Sequence, residues 1–398
     1  MPPFSRLHPE IRDPKSVPRF SMKLTIKRTD LTAALGAVKV AAKGASSLPI
    51  LTNVLLVANE KSVTLTATDL DYYLRVKVDA DVSLKGTTTV RAGLLHDIAR
   101  TTTGETISLE LAKSKLTVIS GETRFELGIL SPDDFPPFPR VGSKEAPAVD
   151  FELEDATLRH MLAQTAYAAS TSEERFVLNG AYLALKDGKV TVAATDGRQL
   201  AVAVRDTESS GNASLILPSK TVRELIRLLP QGGSDAVTTV GISAGKNLVE
   251  FSFGDTVLIS KLIEGTYPNY PAIMPAAEKP IATITRGLLL QSVERIGLVA
   301  ESVKLTFSGA GVSLASHGSK NKDIIGTCQD SLLCACQRDL TAILGERLLH
   351  NTLHACDSDE FEVFANESGK ILMFRNPTWS GIIAGMDEKE SHSKPSPE

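Results

Sequence analysis

The 398 residues carry 43 Lys and Arg against 47 Asp and Glu, a formal charge of −4, with 42% hydrophobic and 23% charged residues. That balance excludes an intrinsically disordered chain and a molecule that binds nucleic acid through bulk positive charge, so any such contact depends on where cations cluster. No apolar run reaches the ~18–20 residues a membrane helix needs, and the four cysteines, all within 328–356, form no disulfide framework, as expected of a cytoplasmic protein.

Residues 1–21 are polar and proline-punctuated, which predicts a disordered extension rather than a secretory signal. A first domain is expected over 22–146. Lys23 to Lys27 alternates as a strand, and Asp30 is placed to cap a helix whose apolar positions Leu31, Ala34, Leu35 and Val38 have helical spacing. Lys39 and Lys43, four apart, follow on its exposed side. NVLLVAN (53–59) and SVTLTATD (62–69) are strands joined by a turn at Asn59-Glu60-Lys61. TTTVRAG leads into a second helix over 93–100 that ends on Arg100. ISLELAKSKLTVIS (107–120) reads as a hairpin and TRFELGIL (123–130) as a further strand.

The segment then recurs. Thr68-Asp69 and Thr195-Asp196 lie 127 residues apart, as do Val90 and Leu217, and the flanks LPILTNVLLVANEK (48–61) and RFVLNGAYLALKDG (175–188) hold the same register. Such a repeat decides the fold before any single element does. Over 147–277 the order is again strand, helix, strands, the helix KTVRELIRLL, and three strands. Both domains close on a proline–aromatic clasp, FPPFP (135–139) and YPNYP (267–271), where prolines stop the ladder and aromatics seal the core edge. A fainter third copy spans 278–386: a strand and helix, the hairpin VKLTFSGAGVSLAS turning at Gly309 and Gly311, a second helix RDLTAILGERLL, and the hairpin FEVFANESGKILMFRN. VGSKEAPA (141–148) and AAEKP (276–280) read as linkers, and 387–398 as a disordered tail. The fold class is α+β, with three repeated domains of two helices packed on antiparallel sheets.

The second helices carry the informative charge. In KTVRELIRLL, Val222, Leu225, Ile226 and Leu229 form one stripe, while Lys220, Arg223 and Arg227 share the other face. Taken singly, such cations merely solvate a helix, and Glu224 dilutes them. Repeated on equivalent helices, they present one phosphate-binding surface, sequence-blind and salt-sensitive. The candidate phosphate contacts are Lys39, Lys43, Arg100, Arg175, Lys220, Arg223 and Arg227.

No phosphate-cradling glycine loop, nucleophile elbow or HExxH motif occurs, so no catalytic residue is assigned and an enzyme is disfavoured. His350 and His354 at helical i, i+4 spacing, with Cys356, Cys334 and Cys336, are zinc-ligand types. The alternation in LLCAC reads instead as buried structural thiols, so no metal and no cofactor are expected. Thr68-Asp69 and Thr195-Asp196, at strand ends, read as turn hydrogen bonding rather than acid pairs.

LPILTN (48–53), VTLTATDL (63–70), RFVLNG (175–180), VTVAATDGRQLA (190–201) and SKLIEGTYPNYPAIMP (260–275) together resemble the bacterial DNA polymerase III beta subunit, the sliding clamp family. The resemblance implies a non-catalytic processivity factor. Its three domains, in a head-to-tail homodimer, close a ring around double-stranded DNA, with helices lining the hole. Its partners would be the replicative polymerase, the clamp loader and other motif-bearing proteins, with no membrane. It places ring closure on Arg124, Phe125 and Leu127 of an edge strand and on Val299 and Ala300. It places a partner-peptide pocket at Leu178, Thr195, Gly197, Arg198, Leu200, Pro268 and Ile273, with Ile382 and Met386. Two departures stand out: Gly197-Arg198-Gln199-Leu200 replaces the common Gly-His-Arg-Leu, and Ala384-Gly385-Met386 replaces a Met-Pro-Met-Arg-like ending. The other reading is a diverged scaffold with the same fold that binds partners without encircling DNA.

Overall fold

The computed structural model describes residues 21–42, 47–142, 149–231, 238–276, 279–319 and 326–386. The expected extension up to residue 20, Lys43, the linker residues 143–148 and 277–278, and the tail 387–398 lie outside the described residues. Ser21, counted with the extension, instead begins the first strand.

One element order is written three times. The first copy runs β1 (Ser21–Lys27), α1 (Arg28–Val38), β2 (Asn53–Asn59), β3 (Ser62–Thr68), β4 (Tyr72–Asp79), β5 (Asp81–Leu84), β6 (Gly86–Arg91), α2 (Ala92–Thr101), β7 (Thr106–Ala112), β8 (Lys115–Ser120) and β9 (Thr123–Gly128). The second has no counterpart of β5: β10 (Val149–Glu154), α3 (Asp155–Thr165), β11 (Gly180–Lys186), β12 (Lys189–Thr195), β13 (Gln199–Asp206), β14 (Ala213–Pro218), α4 (Ser219–Leu228), β15 (Thr239–Ala244), β16 (Leu248–Phe253) and β17 (Thr256–Lys261). The third is β18 (Ala282–Thr285), α5 (Arg286–Gly297), β19 (Ser302–Ser308), β20 (Gly311–His317), β21 (Gln329–Leu332), β22 (Leu340–Gly345), α6 (Glu346–Ala355), β23 (Glu360–Ala365), β24 (Ile371–Arg375) and β25 (Trp379–Ala384).

The repeat extends to single hydrogen bonds. A helix leaves its first N–H groups without intrahelical partners. In each copy, the first helix gives one of them to the loop behind its second helix: Arg28 to the Glu105 carbonyl at 2.9 Å, Asp155 to Thr238 at 3.1 Å, and Arg286 to Asp359 at 2.8 Å. The Arg28 and Arg286 guanidinium groups reinforce this contact on Gly104 and Ser358. In the second copy the Asp155 carboxylate takes the Thr238 hydroxyl instead. Asp30 is not the cap of α1: Lys27 precedes the helix and Asp30 sits inside the first turn, where a carboxylate favours the positive end of the helix dipole.

Two compact units emerge from this chain. One combines the residues up to Asp150 with Val240–Lys261. It holds a sheet ordered β5-β1-β7-β8-β9 and the strand run β15-β16-β17-β4-β3-β2-β6. The other combines Phe151–Thr239 with Leu262 onwards, in sheets ordered β14-β11-β12-β13-β25-β24-β23-β18 and β21-β20-β19-β22. Each unit thus contains one sheet running from one copy into the next. The joints obey the same rule: β17 pairs antiparallel with β4, Leu258 opposite Leu74, and β25 with β13, Gly381 opposite Ala201. In the second unit the single tryptophan, Trp379, is buried and donates its indole N–H to the Gln164 carbonyl at 3.1 Å.

Three segments differ from expectation. YYLRVKVD, given no element from sequence, is β4, the strand at the first joint. RDLTAILGERLL is not one helix: Leu340–Gly345 is a strand paired with β19, and α6 begins only at Glu346. The apolar run Leu340 to Leu344 carries no period that separates strand from helix. LLCAC is not a buried strand, because β21 ends at Leu332 and Leu333 is 96% exposed.

Candidate functional site

The turn after β12 is built as its twin after β3. Thr195 Oγ1 donates to the Gln199 carbonyl at 2.6 Å and accepts the Gly197 N–H at 3.1 Å. Asp196 Oδ1 accepts the N–H groups of Arg198 and Gln199 at 2.7 and 2.9 Å. Thr68 and Asp69 make the same set with Tyr72, Leu70 and Asp71. These threonine–aspartate pairs are turn-builders, as their place in the sequence predicts. The third residue of each turn has positive φ, 77° at Leu70 and 89° at Gly197.

Around the second turn lies an apolar surface. Leu200 and Ile382 pack with Ala193, Val202, Phe364 and Met373, and Tyr182, Tyr270, Met274 and Ile371 rest half-buried against them. Tyr182 stacks on Tyr267 with centroids 5.1 Å apart and meets Tyr270 edge-on at 6.2 Å. Burial raises the phenol pKa of both Tyr267 and Tyr270, which keeps these rings neutral. Leu178 is half-buried, Pro268 is exposed, and Phe176 and Ile273 present 58% and 49% of their surface. Sequence reasoning passed over Phe176, Tyr182 and Tyr270. The clasp YPNYP carried the signal for the last of these.

Two expected residues stand elsewhere. Arg175, grouped with the DNA-facing cations, donates Nη1 to the Asp196 carbonyl at 3.0 Å and lies across Gly197, so it belongs to this turn. Met386 is held by the third copy: its N–H bonds Ile343 at 2.8 Å and its sulfur lies 3.5 Å from the Ser302 hydroxyl. Arg198 is exposed, and its carbonyl accepts the N–H of Ala384 at 2.8 Å, tying the end of β25 to the turn. The arrangement offers apolar recesses beside polar backbone, suited to side chains of a short extended segment.

The helix cations keep their expected face. Val222, Leu225 and Leu229 are buried, whereas Lys220, Arg223 and Arg227 are exposed, Arg227 pairing with Glu224 at 2.8 Å. On the first copy, Lys39 Nζ lies 3.1 Å from His96 Nδ1, and Arg100 is exposed one turn further along α2. Arg91, Pro218 and Gly345 each precede a second helix, so His96, Arg223 and His350 occupy one equivalent position and Arg100, Arg227 and His354 the next. Among the described residues, none of Cys334, Cys336 and Cys356 joins His350 and His354 in a group of candidate ligands. Cys356 is buried against the Ser358 carbonyl, and the Cys334 and Cys336 sulfurs lie 3.7 Å from each other.

Arg124, Phe125 and Leu127 lie on β9, the edge of its sheet. Arg124 is exposed, Phe125 half-buried and Leu127 only 8% exposed, so Leu127 already serves the core. After α5, Ala300 is fully buried, Val299 half-buried, and Leu298 is 72% exposed.

The sequence matches the DNA polymerase III beta subunit N-terminal domain over residues 22–139 and the central domain of the same subunit over 152–269. It is 32% identical over 306 residues to the beta sliding clamp of Caulobacter vibrioides, spanning 74% of this chain and 80% of that one. It is 33% identical over 300 residues to that of Proteus mirabilis, spanning 74% and 78%. Among solved structures, a DnaN sliding clamp (DNA polymerase III subunit beta) from Bartonella birtlesii bound to griselimycin superposes with a TM-score of 0.84 at 29% identity, over 92% of this chain and all of that one.

Proposed function

Because the chain belongs to the DNA polymerase III beta subunit family, the beta sliding clamps, we propose that it closes, as two head-to-tail copies, into a ring that holds duplex DNA by topology. It is a non-catalytic processivity factor whose partners are DNA and the polymerase it tethers. A ring needs only weak, sequence-blind phosphate contacts, for which Lys39, Lys43, Arg100, Lys220, Arg223 and Arg227 are the proposed set. The surface of Leu200, Ile382, Tyr270, Met274 and Ile273, with Leu178, Thr195, Gly197 and Pro268 at the turn, is the proposed dock for partner motifs, including a clamp loader's. Arg175 and Arg198 border it. Domain boundaries at 22–146, 147–277 and 278–386 and action in the cytoplasm belong to the same proposal.

The observation that carries closure is the pairing rule of the joints. The last strand of a copy adds to the counterpart of β4 in the copy before it, in β17–β4 and β25–β13. That leaves β9, the last strand of the first copy, and β21, the β4 counterpart of the third, each at a sheet edge. A heterologous interface joining them would repeat the rule and close on itself. Hairpin registers carry the alignment further: Thr123, Thr256 and Trp379 each follow an equivalent turn. With Gln329 equivalent to Val202 in the ladders, Phe125 falls opposite Cys328 of a second copy, as Leu258 does opposite Leu74.

The test is a Phe125→Cys chain in which Cys334 and Cys336 are Ser. Mild oxidation is expected to give a covalent dimer through Cys328, with no such product in a Cys328→Ser control. A monomeric mass at micromolar concentration, with no crosslink, would favour the scaffold reading that binds partners without encircling DNA.

A further inference from the structure

On the third copy, the positions that hold Arg223 and Arg227 in α4 and His96 and Arg100 in α2 are occupied by His350 and His354. Their rings lie 4.6 Å apart on one face of α6, and His350 Nε2 is 3.8 Å from Glu294 Oε1 on α5. One ligand atom from each of Glu294, His350 and His354 falls within 4.8 Å of the others. Glu294 corresponds to Gly36 of α1, where an added Cβ would face the His96 ring at 3.6 Å. The helix pair thus brings this position onto the second helix in both copies, and the third copy places a carboxylate there.

We propose that Glu294, His350 and His354 form a site for one divalent transition-metal ion of the zinc class. Two imidazoles at i, i+4 on a helix and a carboxylate from its neighbour are donors such ions prefer, at about 2.0–2.2 Å. Donors at that range from one ion lie about 3–3.5 Å from each other, so the present donor separations, within 4.8 Å, contract on binding. Glu294 and His354 are exposed and His350 half-buried, so the ion enters from solvent and keeps an open coordination position. The third copy places two imidazoles where the equivalent helix carries Arg223 and Arg227. A divalent ion held with the Glu294 carboxylate leaves one net positive charge there, and its open position accepts a phosphate oxygen. That role rests on the clamp reading of the chain, whereas the site itself does not.

The experiment is equilibrium dialysis of the intact protein against Zn2+ alone, without nucleic acid. The expected result is one equivalent per chain, with affinity falling at least tenfold in His354→Gln and in Glu294→Gln and unchanged when Cys334 and Cys336 are both replaced by Ser. Circular dichroism of the variants excludes unfolding as the cause. Binding that survives His350→Gln/His354→Gln, or the absence of a stoichiometric equivalent, overturns the site. With circular duplex DNA, Zn2+ is expected to slow release of the native protein and not of His354→Gln. Unchanged release from a protein that does bind Zn2+ overturns the phosphate role, and failure of either protein to be retained on circles counts against the clamp reading instead.

Discussion

Gly197 and Leu70 hold the same place in twin turns and solve it differently. Leu70 adopts φ 77°, a conformation that strains an ordinary side chain. Its packing against Ile50, Leu51, Leu55, Val57 and Phe135 offsets that strain. At Gly197, φ 89°, a Cβ would stand 2.8 Å from Arg175 Nη1, so a side chain there meets backbone strain and moves the guanidinium. Gly197→Ala is therefore expected to cost about 1–3 kcal/mol in chemical denaturation. It should also weaken binding of a clamp-motif peptide about tenfold by displacing Arg175. An unchanged peptide affinity would separate this turn from the dock. A second residue-scale expectation concerns Cys334, whose thiol burial and the neighbouring Cys336 push up to about 11. A raised pKa means less thiolate at any lower pH. Alkylation of Cys334 should therefore be slow at pH 8 and rise about tenfold per pH unit up to pH ~10, followed by peptide mapping.

The second helices belong to the scale of elements. Their apolar stripe packs inward and their cations remain exposed, so removing one cation should cost DNA affinity and little stability. Arg223→Ala is expected to lower the slope of log affinity against log salt by roughly 1, measured on circular duplex across a salt series, with denaturation unchanged. A slope that does not move would take α4 out of the DNA-facing set. Much at this scale was legible in the sequence: α1 and α4 from the spacing of Leu31, Leu35, Val222 and Leu225, and the hairpins from alternation. What was not legible had local causes. In YYLRVKVD of β4, Tyr73, Arg75 and Lys77 are polar members of a strand flanked on both sides, and Arg75 hides its charge by lying over the Phe138 ring at 3.6 Å. In the third copy, Ala342, Ile343 and Leu344 suit helix and strand alike, and only pairing with β19 decides for strand. The placement of Arg175 was illegible because it depends on a carbonyl 21 residues away.

At the scale of the molecule, the first two copies were readable from a register kept between Asp69 and Asp196 and between Val90 and Leu217, and the third from its order of elements. Ring closure was not, because it depends on which edges remain after β17 meets β4 and β25 meets β13. A closed ring holds DNA by linkage rather than affinity, so locking its joint should change retention without changing any phosphate contact. The decisive measurement is release of the oxidised Phe125→Cys dimer, assembled around DNA before crosslinking, from nicked circles and from linear duplex of equal length at high salt. Retention on circles with loss from linear ends is the expected result. Equal loss from both would contradict encirclement.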